Sequence, residues 1–125
     1  MKLETVRTDL YQILRNTLAD EIGVIDAIPD SIAPPSVFIA WADPWVTPST
    51  MCQYLVNLSV IVVAQRIEPG GQYGVLEELV STIMPVLKNS RDFLVKDATS
   101  PYPITLGGVN YLASSINLSC DIGDE

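Results

Sequence analysis

The chain has no histidine among its 125 residues. This excludes Ser–His–Asp and Cys–His nucleophile pairs, most zinc sites and the usual general base at neutral pH. Basic side chains are also scarce: Lys2, Arg7, Arg15, Arg66, Lys88, Arg91 and Lys96 are scattered against fifteen acids, giving a net charge of −8. Proteins that grip nucleic acid cluster Lys and Arg to displace counterions, so tight nucleic-acid binding is excluded. Passing contact is a separate matter, because an acidic wall repels phosphates and lets a strand slide. Apolar runs such as residues 60–64 fall far short of the ~20 residues a spanning helix requires, so no membrane segment is expected. The N-terminal residues Lys2 and Glu4 bring an acid in early, and no signal peptide is expected. Two cysteines, Cys52 and Cys120, lie far apart in apolar contexts. They read as two buried free thiols of a cytosolic protein.

Apolar residues, by contrast, make up 48% of the chain, and the mean hydropathy is +0.29. One domain is expected at this length, burying roughly two-thirds of its unfolded surface without staples. The apolar surplus is high for a small monomer and is compatible with an interface.

Along the chain, Leu3, Val6, Leu10, Ile13, Leu14 and Leu18 recur at three- and four-residue steps and predict an amphipathic helix. Glu4 and Asp9 toward its start and Arg15 toward its end suit the helix dipole, and Gly23 is the expected stop. Residues 24–27 form a short expected strand. Residues 26–45 then gather four of the nine prolines and both tryptophans. Proline fixes its own φ and drives the preceding residue extended, so Pro29, Pro34 and Pro35 argue against helix. A strand is expected over residues 37–41, left through an Asp43–Pro44 turn into a loop over residues 43–50. A long strand follows over residues 51–66. Tyr54, Val56, Leu58, Val60 and Val62 share one face; Leu55, Asn57, Ser59, Ile61 and Val63 share the other. This two-sided pattern suits a central strand, or one whose outer face meets another subunit.

Glu68, Pro69, Gly70 and Gly71 break the pattern. Val75, Leu76, Leu79, Val80, Ile83, Met84 and Leu87 then predict a second amphipathic helix, kinked or loosened over its last turn by Pro85. Residues 93–96 read as a strand and residues 100–108 as a connection. In residues 111–122, Leu112, Ser114, Ile116, Leu118 and Cys120 alternate with Tyr111, Ala113, Ser115, Asn117 and Ser119. The acidic residues 121–125 are expected to fray. The fold class that follows is α+β: a mostly antiparallel sheet of about five strands flanked by two helices, in the order α-β-β-β-α-β-β.

Carboxylates and glycines leave little chemistry. Glu77 and Glu78 are adjacent on a helix and point apart into solvent. Asp26, Asp30 and Asp43 are explained by turns, Asp43 through contacts with its own backbone. Gly70 and Gly71 precede a helix but lack a P-loop lysine or a GxGxxG spacing, and read as a tight turn. Gly107 and Gly108 read as a hairpin turn. Trp45 either anchors a partner or packs against its own domain. No catalytic, metal or cofactor residue is expected. The candidate partner or subunit contact is Asp43, Pro44, Trp45, Val46 and Pro48.

The chain also resembles the tail terminator (tail-completion, or head–tail connector) proteins of long-tailed bacteriophages. The resemblance rests on the opening helix from Lys2, on Val24, Ile25 and Asp26 followed by Pro29, and on the Pro34–Pro35 step into a strand. It continues with Asp43, Pro44 and Trp45, the long strand from Tyr54, Pro101 with Tyr102, and Asn110 through Tyr111, Leu112 and Ala113. Pro85 and the acidic end fall outside the family pattern.

The resemblance implies a non-enzymatic virion protein of the tail or neck, made in the host cytoplasm. Its partners would be further copies of itself in a ring, typically a hexamer, the major tail tube protein and a head-side connector. DNA would pass through the lumen without sequence-specific binding. Alternatives are another neck component, such as a head-closure or adaptor protein, and a small cytosolic ligand- or partner-binding module.

Overall fold

A computed structural model describes residues 2–30, 32–33, 35–66 and 73–123. The expected breaker at residues 68–71, with its Gly70–Gly71 turn, lies outside the described residues, as do Pro34 and the last two residues of the acidic end; the rest of that end does not fray as expected, because Asp121, Ile122 and Gly123 pair with Leu55, Tyr54 and Gln53. The protein is α+β, with two helices and a six-stranded, mostly antiparallel sheet among the described residues. The elements are α1 (Leu3–Thr17), β1 (Gly23–Ile25), β2 (Ser36–Pro48), β3 (Gln53–Arg66), α2 (Gly74–Asn89), β4 (Leu94–Ala98), β5 (Tyr102–Leu106) and β6 (Val109–Gly123).

The sheet runs β1-β2-β3-β6-β4, with β5 also on β6. β1 and β2 are parallel, and the other pairings among the described residues are antiparallel. β4 and β5 pair successive parts of the same side of β6: Leu94 opposes Ser119, Ala98 opposes Ile116, Tyr102 opposes Ala113 and Leu106 opposes Val109. They are therefore two halves of one edge strand, interrupted at residues 99–101. Thr99 bridges the gap. Its N–H donates to the Ser115 carbonyl (2.8 Å), and its Oγ1 accepts from the Ser115 N–H (3.0 Å). Pro101 has no N–H with which to continue the ladder.

Both helices lie on one face of the sheet. Leu10 and Leu14 of α1, and Leu76, Ile83 and Leu87 of α2, pack against Val37, Val56, Leu58, Val60, Ile116 and Leu118. Each fully buried Leu or Ile contributes about 1.5–3 kcal/mol relative to leaving it exposed, so this layer is the main stabilising force. The alternation expected for residues 54–62 and 112–120 holds, and β3 is central. The opposite face is divided. At one end Phe38, Val63, Tyr111 and Ala113 form a second, smaller cluster. Toward the other end the face carries Asn57, Ser59, Asn117 and Ser119.

Several expectations are corrected. β2 does not end at residue 41 in an Asp–Pro turn; it runs on to Pro48, so residues 43–48 are strand and not loop. The connection at residues 100–108 contains β5 and closes as a hairpin on Gly107 (φ 58°) and Gly108 (φ 77°). Two successive left-handed residues suit the right-handed twist of the flanking strands, which is why glycine occupies both. β4 begins one residue later than expected. α1 ends at Thr17, well before Gly23, because Leu18 turns extended to bury its side chain. The α2 stripe reaches Leu87 as expected, and the burial of Leu87 holds the turn after exposed Pro85 to the sheet. Cys52 is exposed rather than buried: it occupies the β2–β3 turn with φ 67°.

Candidate interaction surface

The five residues expected to make a contact lie on the outer half of β2. The β2–β3 register holds from Ser36 opposite Val63 to Trp41 opposite Leu58, and resumes at Val46 opposite Val56. Residues 42–45 therefore face Asn57 alone and bow out as a wide bulge, which includes the cis Asp43–Pro44 bond. A bulge re-aims side chains without ending the strand. Here it leaves Asp43, Pro44 and Trp45 exposed, while Val46 returns to pack on the core beneath the helices and Pro48 is exposed beyond it.

Asn57 supports the bulge. Its side chain is only 6% exposed. Its Nδ2 donates to the Pro44 carbonyl (2.8 Å), and its Oδ1 accepts from Lys96 Nζ (2.6 Å). The Lys96 side chain crosses over β6 to reach it. A parallel ladder runs from Ser59 Oγ to Asn117 Oδ1 (2.8 Å) and from Asn117 Nδ2 to Asp97 Oδ1 (2.7 Å). Each ladder ties three strands together and satisfies polar groups that would be costly to bury alone.

Trp45 stands over this supported segment with its ring centroid 5.4 Å from that of Trp41, at an interplanar angle of 40°. It is 47% exposed. The indole therefore packs on its own subunit with one side and presents the other to solvent, so the two readings of Trp45 are not exclusive.

Near the inner half of the same edge, β1 ends opposite Phe38 and leaves the β2 edge open. A cavity of about 200 Å³ opens there, lined by Arg7, Asp26, Ile28, Ile39 and Trp41 among others. Arg7 reaches it from α1. Its Nε is buried and has no hydrogen-bond partner among the described residues. At the rim, Ile28 is 66% exposed. Asp26, Ala27 and Ile28 were legible only as turn and strand residues, and Arg7 as one of seven scattered bases.

A second cleft, about 640 Å³, lies between the start of α1 and the far end of β3 and β6. Lys2, Asp9, Cys52, Asp92 and Cys120 line it. Burial, then the nearby Asp121, Asp92 and Asp9 carboxylates, push the Cys120 thiol up to about 11. That thiol is held protonated and is a poor nucleophile at neutral pH. The two cysteines are both free. Gln53 opposes Gly123, three residues from Cys120, which separates the thiol-bearing residues by roughly 10 Å or more along the strands. That exceeds the ~7 Å Cα span of a disulfide.

Among the described residues no His, Cys, Asp and Glu group has metal-holding geometry. No helix among them is long and apolar enough to cross a membrane. No family model matches the chain, and no curated protein matches its sequence.

Proposed function

We propose that this chain is a ring-forming structural subunit of the phage neck, of the tail terminator type. In this role it caps the head-proximal end of the tail tube, joins it to a head-side connector and lets DNA through. The observation that carries the reading is the bulged outer edge of β2. It holds Trp45 half-exposed on an open sheet edge, buttressed from below by Asn57 and Lys96. An aromatic anchor on a rigid mount is the kind of feature that dominates protein interfaces, since a pre-organised side chain loses little entropy on docking.

Three further features support it. The sheet has two different free edges, β1–β2 on one flank and β4–β5 on the other. A closed ring joins unlike patches head to tail, so two distinct edges on one subunit suit it. The net charge of −8 suits a lumen that DNA crosses without adhering, because adhesion needs basic contacts that release counterions. The family resemblance draws on residues of six different elements.

The test is to add the protein to polymerising tail tube protein and image the product. Tubes capped at one end by a ring and stopped in length support the reading. Tubes that grow unchanged and carry no added density overturn it.

A further inference from the structure

The two free edges are each interrupted once, and the helix above each gap supplies one side chain, of opposite sign in the two gaps. On the first, β1 stops at Ile25 and exposes β2 at residues 39–41, where the cavity holds Arg7. On the second, the edge strand breaks at residues 99–101 between β4 and β5. A cavity of about 260 Å³ sits at that break under α2, lined by Leu76, Glu77, Val80, Ala98 and Pro101 among others. Each gap therefore lies beneath a helix, and each helix contributes one charged side chain, Arg7 from α1 and Glu77 from α2.

Within one subunit the two cannot meet. β1 and β4 are the outermost strands of the five-strand path, about 19 Å apart at ~4.8 Å per strand. Arg7 forms no ion pair with any described residue, and its Nε is buried without a hydrogen bond. The Nε itself is out of a second copy's reach, but Arg7 as a whole is only half-buried, and the planar fork of donors at its end is best answered by a carboxylate. Asp26 lines the same cavity without pairing to it.

The shapes match as well as the charges. Exposed Ile28 stands at the rim of the Arg7 cavity. The Glu77 cavity has the apolar floor that such a side chain fills, made of Leu76, Val80, Ala98 and Pro101. One edge thus presents an apolar knob beside Arg7 and Asp26, and the other an apolar hole beside a carboxylate.

We infer that the Arg7–Ile28 edge of one copy docks on the Glu77 gap of a second copy. Ile28 enters the break between β4 and β5, and Glu77 supplies the carboxylate that Arg7 lacks. The contact is heterologous, because the two surfaces are different patches of the same chain. Each copy keeps a free edge of either kind, so the contact propagates until it closes. The inference rests on the proposed ring in taking a second copy as the partner. It adds the register of the contact and the charge pair that sets it.

The test is a charge swap read by sedimentation over a range of protein concentrations. The variants are Arg7→Glu, Glu77→Lys, the two combined, and Ile28→Ser. Arg7→Met is included because it keeps the apolar stem of the side chain and so keeps its packing. Each single variant is expected to raise the concentration needed for association by about tenfold or more, and the combined swap to recover most of the loss. Thermal unfolding of Arg7→Met close to that of the wild type shows that the loss is not one of folding. A wild-type chain that associates while the single variants associate equally well overturns the charge pair and leaves the ring standing. A swap no better than its component variants does the same. A wild-type chain that stays monomeric at every concentration overturns both.

Discussion

Replacing Asn57 with alanine removes the support of the β2 bulge, and its cost can be worked from the geometry. Two hydrogen bonds are lost, one to the Pro44 carbonyl at 2.8 Å and one from Lys96 Nζ at 2.6 Å. A neutral bond contributes about 0.5–1.5 kcal/mol and one to a charged group about 1.5–3 kcal/mol. Pro44 and Lys96 are both on the exposed side, so water replaces part of each interaction and the lower half of the sum applies. The expected loss is about 2–3 kcal/mol. With an unfolding entropy near 2.1 cal/mol/K per residue, each kcal/mol lowers the midpoint of a chain this size by about 4 °C, so the melting temperature should fall by roughly 8–12 °C. The bulge also positions Trp45. Acrylamide quenching of tryptophan in the still-folded variant should therefore rise as the Trp41–Trp45 contact loosens. A variant within ~0.5 kcal/mol of the wild type in urea, with unchanged quenching, would refute the claim that Asn57 holds the bulge.

Other perturbations separate folding from docking. Trp45→Ala should lower subunit stability by about 1 kcal/mol or less, since the indole is half-exposed, yet it should abolish association. Equal losses of both, measured by urea unfolding and light scattering, would make Trp45 a core residue. Leu10→Ala, at a fully buried position beneath the sheet, should cost about 2–5 kcal/mol in the same urea assay. At neutral pH a maleimide should label Cys52 rapidly and Cys120 only after unfolding; equal rates would contradict the burial of Cys120. The Cys120 thiol, raised from 9.0 to about 11, stays neutral in the fold after it would ionise in the unfolded chain. Its stabilising contribution is therefore complete below pH 9 and declines toward pH 11, by about 2–3 kcal/mol in all. A Cys120→Ser variant with the same alkaline midpoint as the wild type would remove that attribution.

Much of the architecture was legible because periodicity reports burial. Both helices and the two long strands bury one continuous apolar stripe each, so Leu10, Ile83, Val60 and Ile116 fall where their spacing places them. The misreadings cluster where local chemistry and tertiary context disagree. Asp43 and Pro44 carry turn signals, but flanking Trp41 and Val46 both bury against the helices, and four residues bow out rather than break the strand. Pro101 and Pro103 read as a connection because proline weakens a ladder. At an edge its missing N–H can face away from the partner strand, and β5 survives.

The candidate surface was half legible. Trp45 and its neighbours stood out by composition. Arg7 and Ile28 did not, because only the crossover from β1 to β2 brings them together. Asn57, Asn117 and Lys96 left a fainter signal, in polar side chains placed within otherwise apolar strands. Such residues in a central strand must find partners, and here the partners lie on three different elements.

The proposed ring has a definite mass, and the mass of the particle in solution is its sharpest check. Light scattering on the purified protein, followed by imaging of the same fraction, should give a single closed species. Its mass should be a whole multiple of 13.6 kDa, with the sixfold multiple expected from the family resemblance, and a central opening should be visible. A 13.6 kDa particle that persists at the highest attainable concentration, alone and with tail tubes present, would contradict the account.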